Sequence, residues 1–381
     1  MPSANGICAG NLVEELKKQG NEVDVICYKN EKISSVYNGI YQIPKKNTVN
    51  RSLIKKVYTV FGFLFGSVKS SFDYRLVENY FNNLSAIDRK KNIDTVIAMF
   101  FPSEAVEALK KYKKTNPNIS AVIYELDSVG DGVSGNTFIR KALVYSYKKW
   151  LRGIYASADK VIVMDSHREY WQKVFGKRYG YKLRVADLPL LIEREGSIVN
   201  EKISDKPSFI FAGEINSRYR SPDYLISVLK ELEKRIDFEF SFYSKGDCED
   251  KISELASGTD CIESKGYVSQ ERLDKEILKS DFLVNIGNSI SNSVPSKLIN
   301  YISYGKPIIH IALQKNDICK KYLEKYPLEL VIDVTKPINN SCDEIIEFVG
   351  EFKGKKIEFD FLKNTFYMNN PLHSVAMIEQ K

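Results

Sequence analysis

The chain of 381 residues lacks several features that would settle its class at once. Its six cysteines, Cys8, Cys27, Cys248, Cys261, Cys319 and Cys342, are scattered without a CxxC pair, so reduced thiols are expected rather than a disulfide framework or a zinc site. Its three histidines, His167, His310 and His373, form no pair at metal-ligand spacing. No apolar run reaches the roughly 20 residues that span a bilayer. The most conspicuous one, 57–68, ends at Lys56 and Lys69. The opening MPSANGICAG has neither the basic start nor the apolar stretch of a signal peptide, so a cytoplasmic location is expected. Charge of one sign is also scarce: 56 Lys and Arg against 49 Asp and Glu leave +7, too little to mark a nucleic-acid binder. That balance suits anionic substrates or an anionic membrane surface.

What is present is a globular chain, 43% hydrophobic and 28% charged, long enough for two domains with sizeable cores. Short apolar runs alternate with helical patterns, the signature of βαβ units around parallel sheets. In the first half, strands are predicted at 22–28, 95–100, 121–126 and 160–164, with helices at 8–19 and, capped by Ser103, at 103–114. The stretch EREGSIVNEKISDKP reads as a linker. A second series follows, with strands at 208–212, 238–243, 282–286, 307–312 and 328–332. Helices are predicted near 222–234, 270–278, 296–304 and 343–349. The resulting division is an N-terminal Rossmann-like domain over 1–192, a linker over 193–207, a second Rossmann-like domain over 208–355 and C-terminal helices over 356–381. Two such domains are expected to leave a cleft at the carboxyl ends of their sheets.

One feature of the first domain is unusual. A hydrophobic strand ordinarily precedes the first helix of a nucleotide-binding α/β domain and lies centrally in its sheet, whereas this chain opens with a loop and a helix. The strands at 22–28 and 95–100 are therefore expected to flank a gap. A segment of about ten residues ahead of Met1 would fill it, and a rearranged sheet is the alternative.

The segment KSDFLVNIGNSISNSVPSKLINYISYGKPIIHI combines a buried strand, a loop rich in Asn and Ser, a helix opening at Pro295, a stop at Gly305 and another buried strand. Loop amides and a helix N-terminus, with Lys297 in the first turn, suit a diphosphate. Within it, PSKLINYISYGKPII resembles the donor-binding signature of retaining GT-B glycosyltransferases of the large family 4 group, which includes many bacterial capsule and exopolysaccharide enzymes. PSANGICAGNLVEELKKQGNEVDVI resembles the N-terminal glycine loop and helix of that family, ADKVIVMDS its sixth-strand region and FAGEINSRYRSPDYLISVL the start of its donor domain.

This resemblance, in the right order along nearly the whole chain, implies a GT-B fold and a metal-independent hexosyltransferase that retains anomeric configuration. Its donor would be a nucleotide diphosphate sugar, UDP-linked by preference, with no further cofactor. It implies that Gly6 lies in a loop where the backbone approaches donor and acceptor, and that Arg220 and Lys297 pair with the donor phosphates. Of the two glutamates that the family commonly carries, the second five residues before the helix-ending glycine, this chain has asparagine at both positions, Asn292 and Asn300. An amide can bond ribose hydroxyls without bringing negative charge. Glu214 likewise stands where an arginine is often found. Asp127, in YELDSVGD, falls where relatives place an aspartate or histidine near the reacting sugar, and Glu125 is expected on the same strand face.

Two stretches suggest a lipid-linked acceptor and peripheral contact with the inner face of an anionic membrane. RSLIKKVYTVFGFLFGSVKSSFDYR combines aromatics with flanking cations. The helix read at 138–155 places Leu143, Tyr147, Trp150 and Ile154 on one face among basic residues, which an ordinary core-packed helix explains equally well. The expected function is surface polysaccharide synthesis. The competing expectation is a catalytically silent GT-B subunit that binds glycan or stabilises an active partner, which the two asparagines favour. A nucleotide-sugar epimerase on the same plan is a third.

Overall fold

A computed structural model describes residues 4–28, 39–44, 68, 72–126, 138–194, 205–289 and 296–380. The chain forms two compact units, one of residues 2–189 with 371–381 and one of residues 190–370.

The first unit begins with α1 (Ala4–Lys18), which buries Cys8, Leu12 and Leu16 at the four-residue spacing of a single helix face. It leads into β1 (Val25–Tyr28), which pairs in parallel with β2 (Ile40–Ile43). Then come α2 (Tyr74–Lys91), capped by the Asp73 carboxylate accepting from the Arg75 amide at 3.1 Å, and β3 (Thr95–Met99). After them come α3 (Ser103–Thr115), β4 (Ser120–Glu125), α4 (Phe138–Ser157), β5 (Lys160–Val163), α5 (Asp165–Trp171) and β6 (Leu183–Val185). Strands β3 to β6 form a four-stranded parallel sheet in chain order, and among the described residues β1 and β2 form a separate two-stranded sheet. The gap expected between the strands at 22–28 and 95–100 is thus present. On α4, Trp150 and Ile154 are buried in the core with Val106, Ile123 and Val163, so this aromatic face packs inward and the core-packed reading holds for it.

The second unit runs β7 (Ser208–Ile215), α6 (Asp223–Leu232), β8 (Glu239–Gly246), α7 (Glu249–Ser257), β9 (Ile262–Ser264), α8 (Gln270–Lys279) and β10 (Phe282–Ile286). It continues through α9 (Ser296–Ile302), β11 (Ile308–Ala312), α10 (Lys320–Leu323), β12 (Glu329–Asp333), α11 (Ile338–Phe352) and α12 (Phe359–Thr365). Its six strands are all parallel, in the order β12-β11-β10-β7-β8-β9. Strands β10 and β11 are buried along their whole length, with the apolar sequences expected when helices cover both faces, and their one polar residue each, Asn285 and His310, bond one another. Gly305 ends the turn after α9 with φ +69°, where a Cβ would sit 2.4 Å from the Ile357 carbonyl oxygen.

A last helix, α13 (Pro371–Glu379), belongs to the first unit, where the Ser374 hydroxyl lies 2.8 Å from the Tyr124 hydroxyl and the His373 ring lies 3.0 Å from the Val185 carbonyl. No described helix is long and apolar enough to cross a membrane.

Candidate functional site

The strand order of the second unit reverses between β7 and β10: from β7 the chain moves outward to β9, and from β10 it moves the other way to β12. Loops at the carboxyl ends of two such strands diverge and leave a crevice, where ligands of doubly wound sheets bind. The residues that follow β7 and β10 are therefore the place to look.

After β7 the chain folds into a tight turn closed by reciprocal backbone bonds between Asn216 and Arg220, at 3.1 and 2.9 Å. The Asn216 side-chain oxygen accepts from the amides of Arg218 and Tyr219 at 3.0 and 3.2 Å, which holds the turn. After β10, Gly287 passes so close to Asp317 that a Cβ would lie 2.0 Å from its carboxylate oxygen. This lets the next residue reach across: Asn288 Oδ1 accepts from both Nε and Nη2 of Arg220, at 3.2 and 2.7 Å. Ser289 adds a backbone bond to the Tyr219 carbonyl at 2.8 Å, and Gln314 donates to the Asn288 carbonyl at 2.9 Å. The guanidinium also donates from Nη1 to the Glu214 carbonyl at 3.2 Å. Arg220 is thus held in one orientation by partners that carry no opposing charge.

Lys297 lies in the first turn of α9 and is half-buried. Among the described residues it makes no hydrogen bond or ion pair. Burial lowers its ammonium from the ordinary 10.5 to about 8; the Asp274 carboxylate pulls the other way, and Arg194, Arg220 and Lys245 add repulsion. Among the described residues four cations and one carboxylate, Asp274, therefore act on one another here, an excess of positive charge.

Asn300, one turn further along α9, is buried, and its side-chain oxygen accepts from Arg194 Nη2. Arg194 also pairs with Asp274 at 3.5 Å and lies 5.1 Å from the centre of the Tyr304 ring. The Tyr304 hydroxyl in turn donates to Asp274. The oxygen of Asn300 is committed to this network.

Beside the crevice, His310 is fully buried between Asn285, 2.8 Å from its Nδ1, and Asp317, 3.2 Å from its Nε2. Burial pushes the Asp317 carboxyl up, but bonds from His310 and the Cys319 amide outweigh it and hold the group below its ordinary value. His310, Asp317 and Cys319 are the one group of three potential metal ligands among the described residues. Both ring nitrogens of His310 already face partners, so the group reads as an internal support for the Gly287 passage.

Arg220, Lys297 and Asn300, expected at a donor site, are thus brought together in the second unit. Asn292 and Asp127 lie outside the described residues, as does nearly all of the membrane-directed segment 51–75. Gly6 lies within α1, not in the expected loop, because the helix starts at Ala4, a strong helix former, ahead of the predicted start at residue 8. Glu125 is buried at the end of β4, where it accepts from the Tyr155 hydroxyl, and burial pushes its carboxyl up to about 8. Sequence reading missed Arg194, Lys245, Asp274 and Asn288. Only Asn288 carried a signal, its place in the Asn- and Ser-rich loop after β10.

No family model and no curated protein sequence matches the chain. Solved structures do match. The glycotransferase of kitacinnamycin aligns with a TM-score of 0.58 at 12% identity, covering 100% of this chain and 96% of that one. WaaG, a glycosyltransferase involved in lipopolysaccharide biosynthesis, aligns at 0.57 and 11% identity, covering 100% and 98%. UDP-GlcNAc 2-epimerase from Methanocaldococcus jannaschii aligns at 0.51 and 11% identity, covering 80% and 82%. The chain therefore has the GT-B fold, which these proteins share across different activities.

Proposed function

We propose that the second unit binds a nucleotide diphosphate sugar, UDP-linked by preference, and that the chain transfers its hexose to a glycan acceptor with retention of configuration. The observation that carries this reading is Lys297, a half-buried ammonium without a hydrogen-bond or ion-pair partner among the described residues, beside an Arg220 whose orientation is set by Asn288. A diphosphate would supply the missing negative charge, and the same cations would stabilise the charge that develops on it as the sugar leaves. No metal is required for that role. Asn300 and Asn292 would face the nucleoside, Gly6 would lie beside the acceptor, and Asp127 would receive the acceptor proton or stabilise the anomeric carbon. The acceptor we propose is lipid-linked, in surface polysaccharide synthesis, with peripheral membrane contact. These assignments follow from the sequence resemblance and the GT-B fold.

The test is a thermal-shift screen of the purified protein against UDP, GDP, ADP and CMP and their sugar conjugates. A selective rise that disappears in Lys297→Ala supports the reading, because only a ligand of the native state raises the apparent stability. No rise with any of them, from folded protein, refutes it.

A second reading, a silent GT-B subunit, is favoured by the asparagines at positions 292 and 300, of which Asn300 already accepts a hydrogen bond from Arg194. Nucleotide-sugar binding without sugar transfer to any glycan would select it. Conversion of the nucleotide sugar to its epimer without an acceptor would instead point to epimerase chemistry, and release of nucleotide diphosphate only with an acceptor would argue against it.

A further inference from the structure

Helix α4 of the first unit carries five cations, Arg140, Lys141, Lys148, Lys149 and Arg152, and no acid in its 20 residues. Its apolar side is used in the core, where Trp150, Leu151 and Ile154 pack. What remains outside is a stripe. Phe138, Lys141, Tyr145, Lys149 and Arg152 follow one another at steps of three or four residues, the spacing of one helix side, and all are exposed. Among the described residues no carboxylate pairs with these cations. The segment 172–182 extends the surface with exposed Lys173, Lys177, Arg178 and Tyr181, and it also lacks any acid. Tyr179 fastens it to α4 by donating to the Arg152 carbonyl at 3.0 Å, and Lys182 donates to the Tyr155 carbonyl at 3.1 Å. On the neighbouring α5 the exposed acids are Asp165 and Glu169, of which Asp165 pairs with Arg168 at 3.2 Å. Phe138, Tyr181 and Tyr145, at 77%, 75% and 59%, are the three most exposed large hydrophobic side chains among the described residues, and all three belong to this basic surface.

A helix that enters a lipid interface needs its apolar side free, and that side of α4 is committed to the core. A charged polymer asks for something else: cations set along a line, with flat rings between them. Lys141 and Lys148 are seven residues apart, about 10.5 Å along the axis and the length of a disaccharide, and Tyr145 lies between them. We propose that the outer side of α4, with the segment 172–182, is a binding surface for an anionic polysaccharide that bears one negative group on about every second sugar. The cations would meet those groups. The electron-rich faces of Phe138, Tyr145 and Tyr181 would take the C–H faces of the pyranose rings. The choice of a glycan among polyanions rests on the transferase reading above, but the surface uses no residue of the diphosphate crevice.

The test is a titration, followed by fluorescence anisotropy, of a labelled hyaluronan octasaccharide, which has a carboxylate on every second sugar, with the full-length protein. Binding is expected to weaken about tenfold between about 50 and 200 mM salt, as several cations displace counterions. The same octasaccharide with its carboxylates methyl-esterified should not bind. Lys141→Gln, Lys149→Gln and Arg152→Gln together should lower affinity at least about tenfold and flatten the salt dependence. Tyr145→Ala should lower it several-fold with the salt dependence kept, since it removes a ring and no charge. These side chains are exposed, so Tm should stay within about 2 °C of the parent. No binding by the parent, full binding by the triple variant, or equal binding of the esterified chain would overturn the proposal. So would tighter binding to phosphatidylglycerol vesicles or single-stranded DNA that the triple variant loses. UDP is titrated separately into the same parent protein: failure to bind UDP counts against the diphosphate crevice, and failure to bind the octasaccharide counts against this surface.

Discussion

Replacing Lys297 with methionine is expected to stabilise the ligand-free protein while weakening its hold on a diphosphate. The drop of the ammonium from 10.5 to about 8 means that folding disfavours the charged form. At about 1.4 kcal/mol per tenfold change in proton affinity, the full cost is about 3 kcal/mol, and partial exposure brings the expected gain of the uncharged variant to between about 1 and 3 kcal/mol. The gain is complete at pH 7, where folded and unfolded chains both carry the proton. It declines as pH rises from about 8 towards 10.5, where the unfolded chain is protonated and the folded one is not. Methionine keeps the length of the side chain without its charge, so packing changes little. Binding should move the other way: a charged hydrogen bond to phosphate is worth about 1.5–3 kcal/mol, a loss of roughly 10- to 100-fold in affinity. Urea unfolding at pH 7 and 9.5, with calorimetric titration of UDP, reads both effects. A variant that is less stable than the parent at both pH values and binds UDP equally well would refute the argument that this lysine is an unpaired cation kept for an anionic ligand.

Three further outcomes are expected. Asn288→Ala removes the paired bonds to Arg220 at 3.2 and 2.7 Å and leaves a guanidinium that burial already disfavours, so nucleotide affinity should fall about tenfold in titration and Tm should fall with it, by a loss of about 1–3 kcal/mol. Glu125→Gln should flatten the dependence of stability on pH: the buried carboxyl titrates near 8 in the folded chain and near 4.5 when unfolded, so the parent loses stability as pH rises between those values. Melting curves at pH 5 and 8 check this, with the variant gaining on the parent only at the higher pH. Gly305→Ala, which combines φ +69° with a Cβ 2.4 Å from a backbone oxygen, should cost at least about 1–3 kcal/mol in chemical denaturation.

The strands that sequence reading missed are short and lie at sheet edges, although it located the edge strands β1, β3 and β12. The central strands β10 and β11 are largely apolar and buried along their length, and their sequences announced them, as did the apolar runs in β7 and in the edge strand β12. β2, β6 and β9, of four, three and three residues, were missed, and each lies at the edge of its sheet. An edge strand is held on one side only and tolerates polar and exposed residues, so its pattern is weak. The gap in the first sheet was legible because a strand missing from a βαβ series is an arithmetic fact of element order.

The candidate site divides along the same line. Lys297 was legible in a local pattern of strand, loop and helix, whereas Arg220 and Asn300 were singled out through the resemblance of their segments to a known family. Arg194 lies within a polar stretch that reads as linker, and only the packing of Leu190–Asn370 into one unit sets it against Asn300, 106 residues away. The orientation of Arg220 likewise depends on Asn288, 68 residues further on, because β7 and β10 are neighbours in the sheet but not in the chain. Composition and periodicity by themselves pointed to the class of fold and to the strand, loop and helix that present Lys297, since these follow from local propensity and burial. Which charges meet, and which of them are left without a partner, was decided by the tertiary structure, because electrostatic energy depends on distance and burial, and neither is a property of a linear sequence.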